Sequence, residues 1–351
     1  MKRFAIFALL ILSLLTSGCF ESIISEIRYE TTPISLEYEI SYGYYINSSG
    51  KGAFTINYTS FAPQTISGYV SSISALGNYS HHELKIGDNT AVIWLFDEEG
   101  KKSIKIGIEA SVKANSFLVD LDPSESVSID NISADLKKRY CTDQSIENKT
   151  LIQPSDFEIK NLAYSLKNSE NAFEVAMNIF KWLKENTNYA SHPQQTFPQS
   201  AKETLILKSG DCDDLSILYI SLCRAVGIPA RLVRGFLIEE KNGIYTAIPH
   251  AWAEVYVGFG KDGWIPVECA GISKDLDAEI HQNFGVEDVF HLRLYVDNGT
   301  NESLAISNRG IKIRYEEGLH IETEPFVEIR EVIVKDYGNL VVRKDGERFY
   351  S

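Results

Sequence analysis

Several signatures of familiar chemistry are missing from this 351-residue chain. Its five cysteines include no Cys-x-x-Cys pair, so the usual framework for a structural zinc site is not there. No Gly-x-Ser-x-Gly elbow, no phosphate loop ending in Gly-Lys-Ser/Thr and no His-Glu-x-x-His pair occurs. Elbow-type serine hydrolases, P-loop nucleotide hydrolases and zinc peptidases of that motif are thereby excluded. Asp120 and Asp122 lack the glycine and closing glutamate of an EF-hand calcium loop. No basic run or basic amphipathic helix is present, and the net charge is −14 with a pI near 5.0. That balance argues against a nucleic-acid binder, which usually shows a basic face; acidity by itself reads as solubility. Internal repeats and low-complexity segments are absent as well.

The composition is 44% hydrophobic and 23% charged, enough to bury a core, and the length suits about two domains. The first 20 residues read MKRFAIFALLILSLLTSGCF. Lys2 and Arg3 form a positive start, Phe4 to Leu15 an apolar run, and Thr16, Ser17 and Gly18 a small-residue stretch before Cys19. This is the pattern of an export signal. The apolar run is short against the roughly 20 residues of a spanning helix. It is similar to a lipoprotein signal in which Cys19 takes the lipid, although Thr16 stands where an aliphatic residue is usual. An uncleaved membrane anchor is the alternative. Asn47, Asn57, Asn78, Asn131, Asn148, Asn298 and Asn301 each begin an Asn-x-Ser/Thr acceptor, which agrees with an exterior location.

Short β-like runs such as ISLEYEISYGYYI and TAVIWLF, separated by regular turns, predict a β-sandwich over residues 20–122. A polar linker is expected over 123–154, with a short helix near SADLKKRY, then an α+β core over 155–300 and a C-terminal β extension over 301–351. Ser155 and Glu158 predict the first core helix by a capping box. Phe173, Ala176, Ile179, Phe180 and Leu183 share one helical stripe. A short helix is expected in SAKETLILKSG, ending at Gly210. His81 and His82 adjoin on a β-like run and read as surface residues on opposite faces.

The stretch SGDCDDLSILYISLCRAVGIPARLVRGF carries the chemistry. Cys212 starts a helix that is apolar nearly all round, ends at Gly227 and Pro229, and is therefore central and buried. Cys212 and Cys223 on that helix stand about 16 Å apart, too far for a disulfide. Asp211 suits the cap, and Asp213 and Asp214 suit the first turn. The helix N-terminus lowers a thiol pKa, but the aspartates oppose ionisation. Cys212 therefore needs either a cationic partner or a base that removes its proton during reaction. His250 in PHAWAEVYVGFGKDGWIPVEC fits that need. A hairpin turning at Phe259 sets Val255 opposite Gly263, Ala253 opposite Ile265 and His250 opposite Glu268, whose carboxylate would orient the imidazole. Arg231 and Arg234 read as ion-pairing residues of the fold.

The ordered set of Cys212, GIPAR, HAW and GW over about Tyr189 to Ala270 resembles the transglutaminase-like superfamily, and within it an archaeal branch. The resemblance implies a core similar to papain-like cysteine proteases, a buried helix packed on an antiparallel sheet, preceded here by the β-sandwich. It implies Cys212 as nucleophile, His250 as general base and acid, and Glu268, in place of the usual Asp, as orienting carboxylate; Cys269 replaces the usual proline after that acid. The Cys212 N–H would supply one oxyanion donor, and Tyr189, Gln194 or Gln195 a second. Trp252 shares a strand face with His250 and is expected to wall the cleft. No cofactor or metal is implied.

The expected activity is acyl transfer at an amide through a thioester, with hydrolysis and cross-linking sharing that intermediate. The expected substrate is a protein or peptide of the cell envelope, with the protein held by its N-terminal lipid or anchor on the outer face of the membrane. One alternative is a binding or assembly module that keeps the fold without turnover; another makes the sandwich the working part, gripping envelope glycan or protein.

Overall fold

The computed structural model describes residues 26–64, 68–191 and 197–351. The leader, with Cys19, lies outside the described residues, as do Gln194 and Gln195. Among the described residues no helix is long and apolar enough to cross a membrane.

Two antiparallel sheets build the sandwich. One has five strands in the order Arg348–Tyr350, Leu319–Arg343, Glu26–Gly50, Lys102–Asn115 and Gly68–Leu76. The other has four, Ile311–Tyr315, Ala53–Phe61, Asn89–Glu99 and His81–Ile86. Alternation fixes which side is inward: Leu36, Tyr38, Ile40 and Tyr42 are buried at every second position and meet Ile56, Trp94, Ile106 and Ile108. His81 and His82 lie exposed on the edge strand. The C-terminal strand Leu319–Arg343 runs antiparallel along Glu26–Gly50 from Glu26 opposite Arg343 to Gly50 opposite Leu319. The first and one of the last strands among the described residues thus close one unit, although about 300 residues separate the partners.

The second unit is α+β, the architecture expected. Its sheet has the order Trp264–Val267, Ile244–Lys261, Ala230–Lys241 and His291–Val296. The Cys212–Ala225 helix packs on this sheet, and every residue from Asp214 to Arg224 is buried. The Ala172–Asn186 helix covers it with Phe173, Ala176, Ile179, Phe180 and Leu183, each fully buried. Phe173, Ile179, Phe180 and Leu183 each contribute roughly 1.5–3 kcal/mol by leaving water. The two units share apolar contacts. Phe236 and Ile238 of the core sheet join the sandwich core, and Phe236 meets Tyr42 edge-to-face at 5.2 Å.

Local chemistry moved some expected boundaries. The first core helix, Phe157–Leu166, is capped by Asp156, not Ser155; the Ser155 backbone N–H instead donates to Asp143. A carboxylate one residue nearer took both free N–H groups, those of Glu158 and Ile159. The next short helix ends at Leu207, because Lys208 turns left-handed (φ 54°) and Ser209–Gly210 form a short strand. Between Ser126 and Lys149, the Ala134–Tyr140 helix forms with Ser133 as its cap.

The hairpin register also differs from expectation. Val255 faces Ile265 instead of Gly263, and Ala253 faces Val267 instead of Ile265. The turn sits at Asp262–Gly263, both left-handed at φ 54° and 89°, as a two-residue type I′ turn requires. Gly258 and Gly260 are also left-handed, and the residues between Tyr256 and Lys261 form the irregularity that takes up the extra length.

Candidate active site

Asp211 caps the Cys212–Ala225 helix in a reciprocal box with Asp214. The Asp214 carboxylate is buried and accepts the N–H groups of Asp211 (3.1 Å) and Gln199 (2.7 Å). Asp213 pairs with Arg234 Nε at 3.0 Å, and Arg231 Nε pairs with Glu254 at 2.7 Å. The three aspartates beside the cysteine are therefore engaged in building the helix start and tying it to the sheet.

Cys212 stands in the first turn and is half-buried. Its sulfur accepts the backbone N–H of Ala251, the residue after His250. Burial pushes the thiol up to about 12, with Asp213 and Asp211 adding to the rise, against the Ala251 N–H. The described cysteines Cys141, Cys212, Cys223 and Cys269 are all free of disulfides.

His250 Nε2 lies 2.7 Å from Glu268 Oε2. An ionised carboxylate only accepts, so Nε2 carries a hydrogen and Nδ1 is the ring nitrogen left for another partner. The two-residue register shift preserves this meeting, because an even shift leaves side chains on the same face. Glu268 is 7% exposed; its backbone N–H donates to Asn283 O at 2.8 Å, and its Oε1 accepts the Ala270 N–H at 2.7 Å. Burial opposes ionisation of Glu268, but hydrogen bonds from His250 and His291 outweigh it and hold the carboxyl well below the usual range.

Trp252 was expected to wall the open cleft. It is 1% exposed and lies behind His250, stacked at 5.9 Å and 24°. The reason is its indole N–H, which donates to Glu287 at 3.0 Å. Glu287 in turn accepts from Arg293, which also donates to Glu254 at 2.6 Å. Burial works against the Glu254 charge, yet Arg293 and Arg231 hold its carboxyl down at about 2. This buried ion network is the floor on which His250 rests.

Tyr189 is exposed, on a two-residue strand running parallel to Ser209–Gly210, just before the helix. Burial and the charges of Cys212 and Asp211 raise its phenol, which places it within electrostatic reach of the sulfur. A cleft of about 480 Å³ opens beside it, lined by Lys184, Thr187, Tyr189, Leu215, Ala270 and Ile272. Leu215 is one turn from Cys212, so the cleft adjoins the helix start.

His291 was missed in the sequence. Its Nε2 lies 3.0 Å from the same Glu268 Oε2 and its Nδ1 2.7 Å from Asp288 Oδ1. The only sequence signal was an acid three residues before a histidine in VEDVFH, too common to single out. The ligand atoms of His250, Glu268 and His291 lie within 4.8 Å of one another, the composition of a metal-ligand set. Burial disfavours charge on His291, but Asp288 and Glu268 outweigh it and raise it well above the usual imidazole range. Both ring Nε2 atoms lie within hydrogen-bonding distance of the one carboxylate oxygen, Glu268 Oε2.

Gly235 sits opposite His250 on one side and Arg293 on the other. A Cβ there would come 1.9 Å from Leu292 O. Gly235→Ala is expected to cost about 1–3 kcal/mol through strand displacement and to slow Cys212 alkylation by moving His250. An unchanged urea midpoint would count against this close fit.

Residues 160–269 match the model of the transglutaminase-like superfamily. The chain is 35% identical over 104 residues to the uncharacterized protein YebA of Bacillus subtilis (strain 168). That match spans 27% of this chain and only 13% of the relative. Among solved structures, the chain is similar to "a Putative Cysteine Protease from Cytophaga hutchinsonii", with TM-score 0.54 and 19% identity, covering 85% of this chain and 92% of that one. At that identity the likeness speaks for the fold alone.

Proposed function

We propose that this protein is an exported, membrane-tethered thiol enzyme that cleaves or transfers amide acyl groups of cell-envelope proteins or peptides. The observation that carries the reading is the His250–Glu268 hydrogen bond of 2.7 Å with the Cys212 sulfur seated on the adjoining Ala251 N–H. His250 Nδ1 takes the Cys212 proton as the sulfur attacks the amide carbonyl carbon. The developing oxyanion is met by the Cys212 N–H at the helix start and, from the cleft side, by Tyr189. The imidazolium returns the proton to the leaving amine nitrogen, the C–N bond breaks, and a thioester remains. Water then gives the acid and an amine gives a new amide; hydrolysis is favoured, since no separate acceptor-amine site is marked out among the described residues. Export and tethering are supported by the leader ending at Cys19 and by the exposure of Asn47, Asn57, Asn78, Asn131, Asn148 and Asn301, with Asn298 half-buried.

The test is native iodoacetamide labelling mapped to the Cys212 peptide by mass spectrometry, followed by product analysis on envelope peptides. Cys212 is expected to label faster than a free thiol, and His250→Ala to slow it at least tenfold. Labelling only after denaturation would instead support a binding module without turnover.

A further inference from the structure

His291 is a half-buried imidazole, its side chain 10% exposed, that an amide-cleaving triad does not require, yet it is placed with the same precision as His250. Both rings direct Nε2 at one oxygen of Glu268, at 2.7 and 3.0 Å, and their centroids are 5.6 Å apart. Trp252 fixes both, stacked on His250 and edge-on to His291 at 5.0 Å. We infer that His291 is a positioning residue: with Asp288 behind it, it holds Glu268 from the far side and divides that carboxylate between two imidazoles, keeping His250 a neutral base at rest. This rests on the proposed thiol chemistry and deepens it.

The argument is one of charge placement. Glu268 alone beside His250 would strongly stabilise an imidazolium. A second cation on the same oxygen offsets most of that field, so His250 stays free to accept the thiol proton. The groups facing His291 are few. Asp288 comes from the turn before its strand, Glu268 from the end of Trp264–Val267, and His250 from Ile244–Lys261. Glu287 and Arg293 nearby neutralise one another, and Leu237 opposite His291 is apolar. Tyr350 of the C-terminal strand lies within electrostatic reach of Asp288, and Glu268 in turn within reach of the Cys212 thiol. The glutamate that replaces the usual aspartate has the extra methylene to span both rings.

Two measurements on the full chain test this. Cys212 alkylation by iodoacetamide is followed from pH 5 to 9 in the wild type and in His291→Gln, which keeps a donor to Glu268 but carries no charge. Losing the cation favours protonated His250, so the acid limb is expected to move up by about one pH unit or more. A uniform fall in rate with an unmoved midpoint would mean a structural role only and would overturn the inference. Nitrogen-15 imidazole spectra of the wild type need no variant to fold: His291 should hold both ring protons from pH 6 to 8, and a neutral His291 overturns the proposal. If wild-type Cys212 labels as an ordinary thiol, the enzyme reading fails, and these spectra still decide the charge of His291.

Discussion

Glu268→Gln is expected to slow Cys212 acylation by about 10²–10⁴-fold, the range spanned by loss of general-base function. The glutamine has no acceptable orientation. With its oxygen at the Oε2 position, its amide nitrogen faces the Ala270 N–H, donor against donor, where Oε1 now accepts at 2.7 Å. With the amide flipped, the nitrogen faces the two ring nitrogens that stand at 2.7 and 3.0 Å. His250 must then carry its hydrogen on Nδ1 and cannot take the thiol proton. Either orientation also removes the negative charge that stabilises the imidazolium during attack. The measurement is the single-turnover rate with an activated ester or amide, alongside the labelling rate at pH 7. A rate within tenfold of wild type would remove Glu268 from the chemistry.

Arg224→Ala is expected to destabilise the protein by about 3–5 kcal/mol, the usual cost of leaving a buried ion unpaired. Arg224 and Asp297 form an ion pair at 3.2 Å with both side chains fully buried. The guanidinium also donates to Ala230 O at 2.7 Å and to Thr142 O at 3.2 Å. Asp297 follows the His291–Val296 strand, so this pair binds the C-terminal end of the Cys212 helix to the strand that carries His291. Urea unfolding is the measurement. The double change Arg224→Met with Asp297→Asn should recover much of the loss, because neither residue is then an unpaired charge. A loss below about 1 kcal/mol for the single change would show that water reaches Asp297 and compensates it.

The Cys212 helix was legible because its apolar residues cover every face, a pattern with few homes other than the centre of a core. The covering stripe from Phe173 to Leu183 was legible for the related reason that helical period and burial coincide. The hairpin was read with its turn at Phe259 and lies at Asp262–Gly263, since glycines at 258, 260 and 263 offered competing bends. The meeting of His250 and Glu268 withstood that error, because strand faces alternate with period two and the slip was even. Ser155 lost the cap to Asp156 in a competition between neighbours that residue type alone does not decide.

By itself the sequence determined the local terms of this protein: which segments are helix or strand, which face is apolar, and which thiol stands at a helix start with an imidazole on a nearby strand. Only the tertiary structure decided that Leu319–Arg343 pairs with Glu26–Gly50, that Trp252 lies beneath His250, and that His291 shares Glu268. Local pattern is encoded within a few residues, through rotamers, caps and alternation. Contacts between distant segments depend on how whole sheets stack, and one histidine in a β-run carries no mark of the carboxylate it will meet.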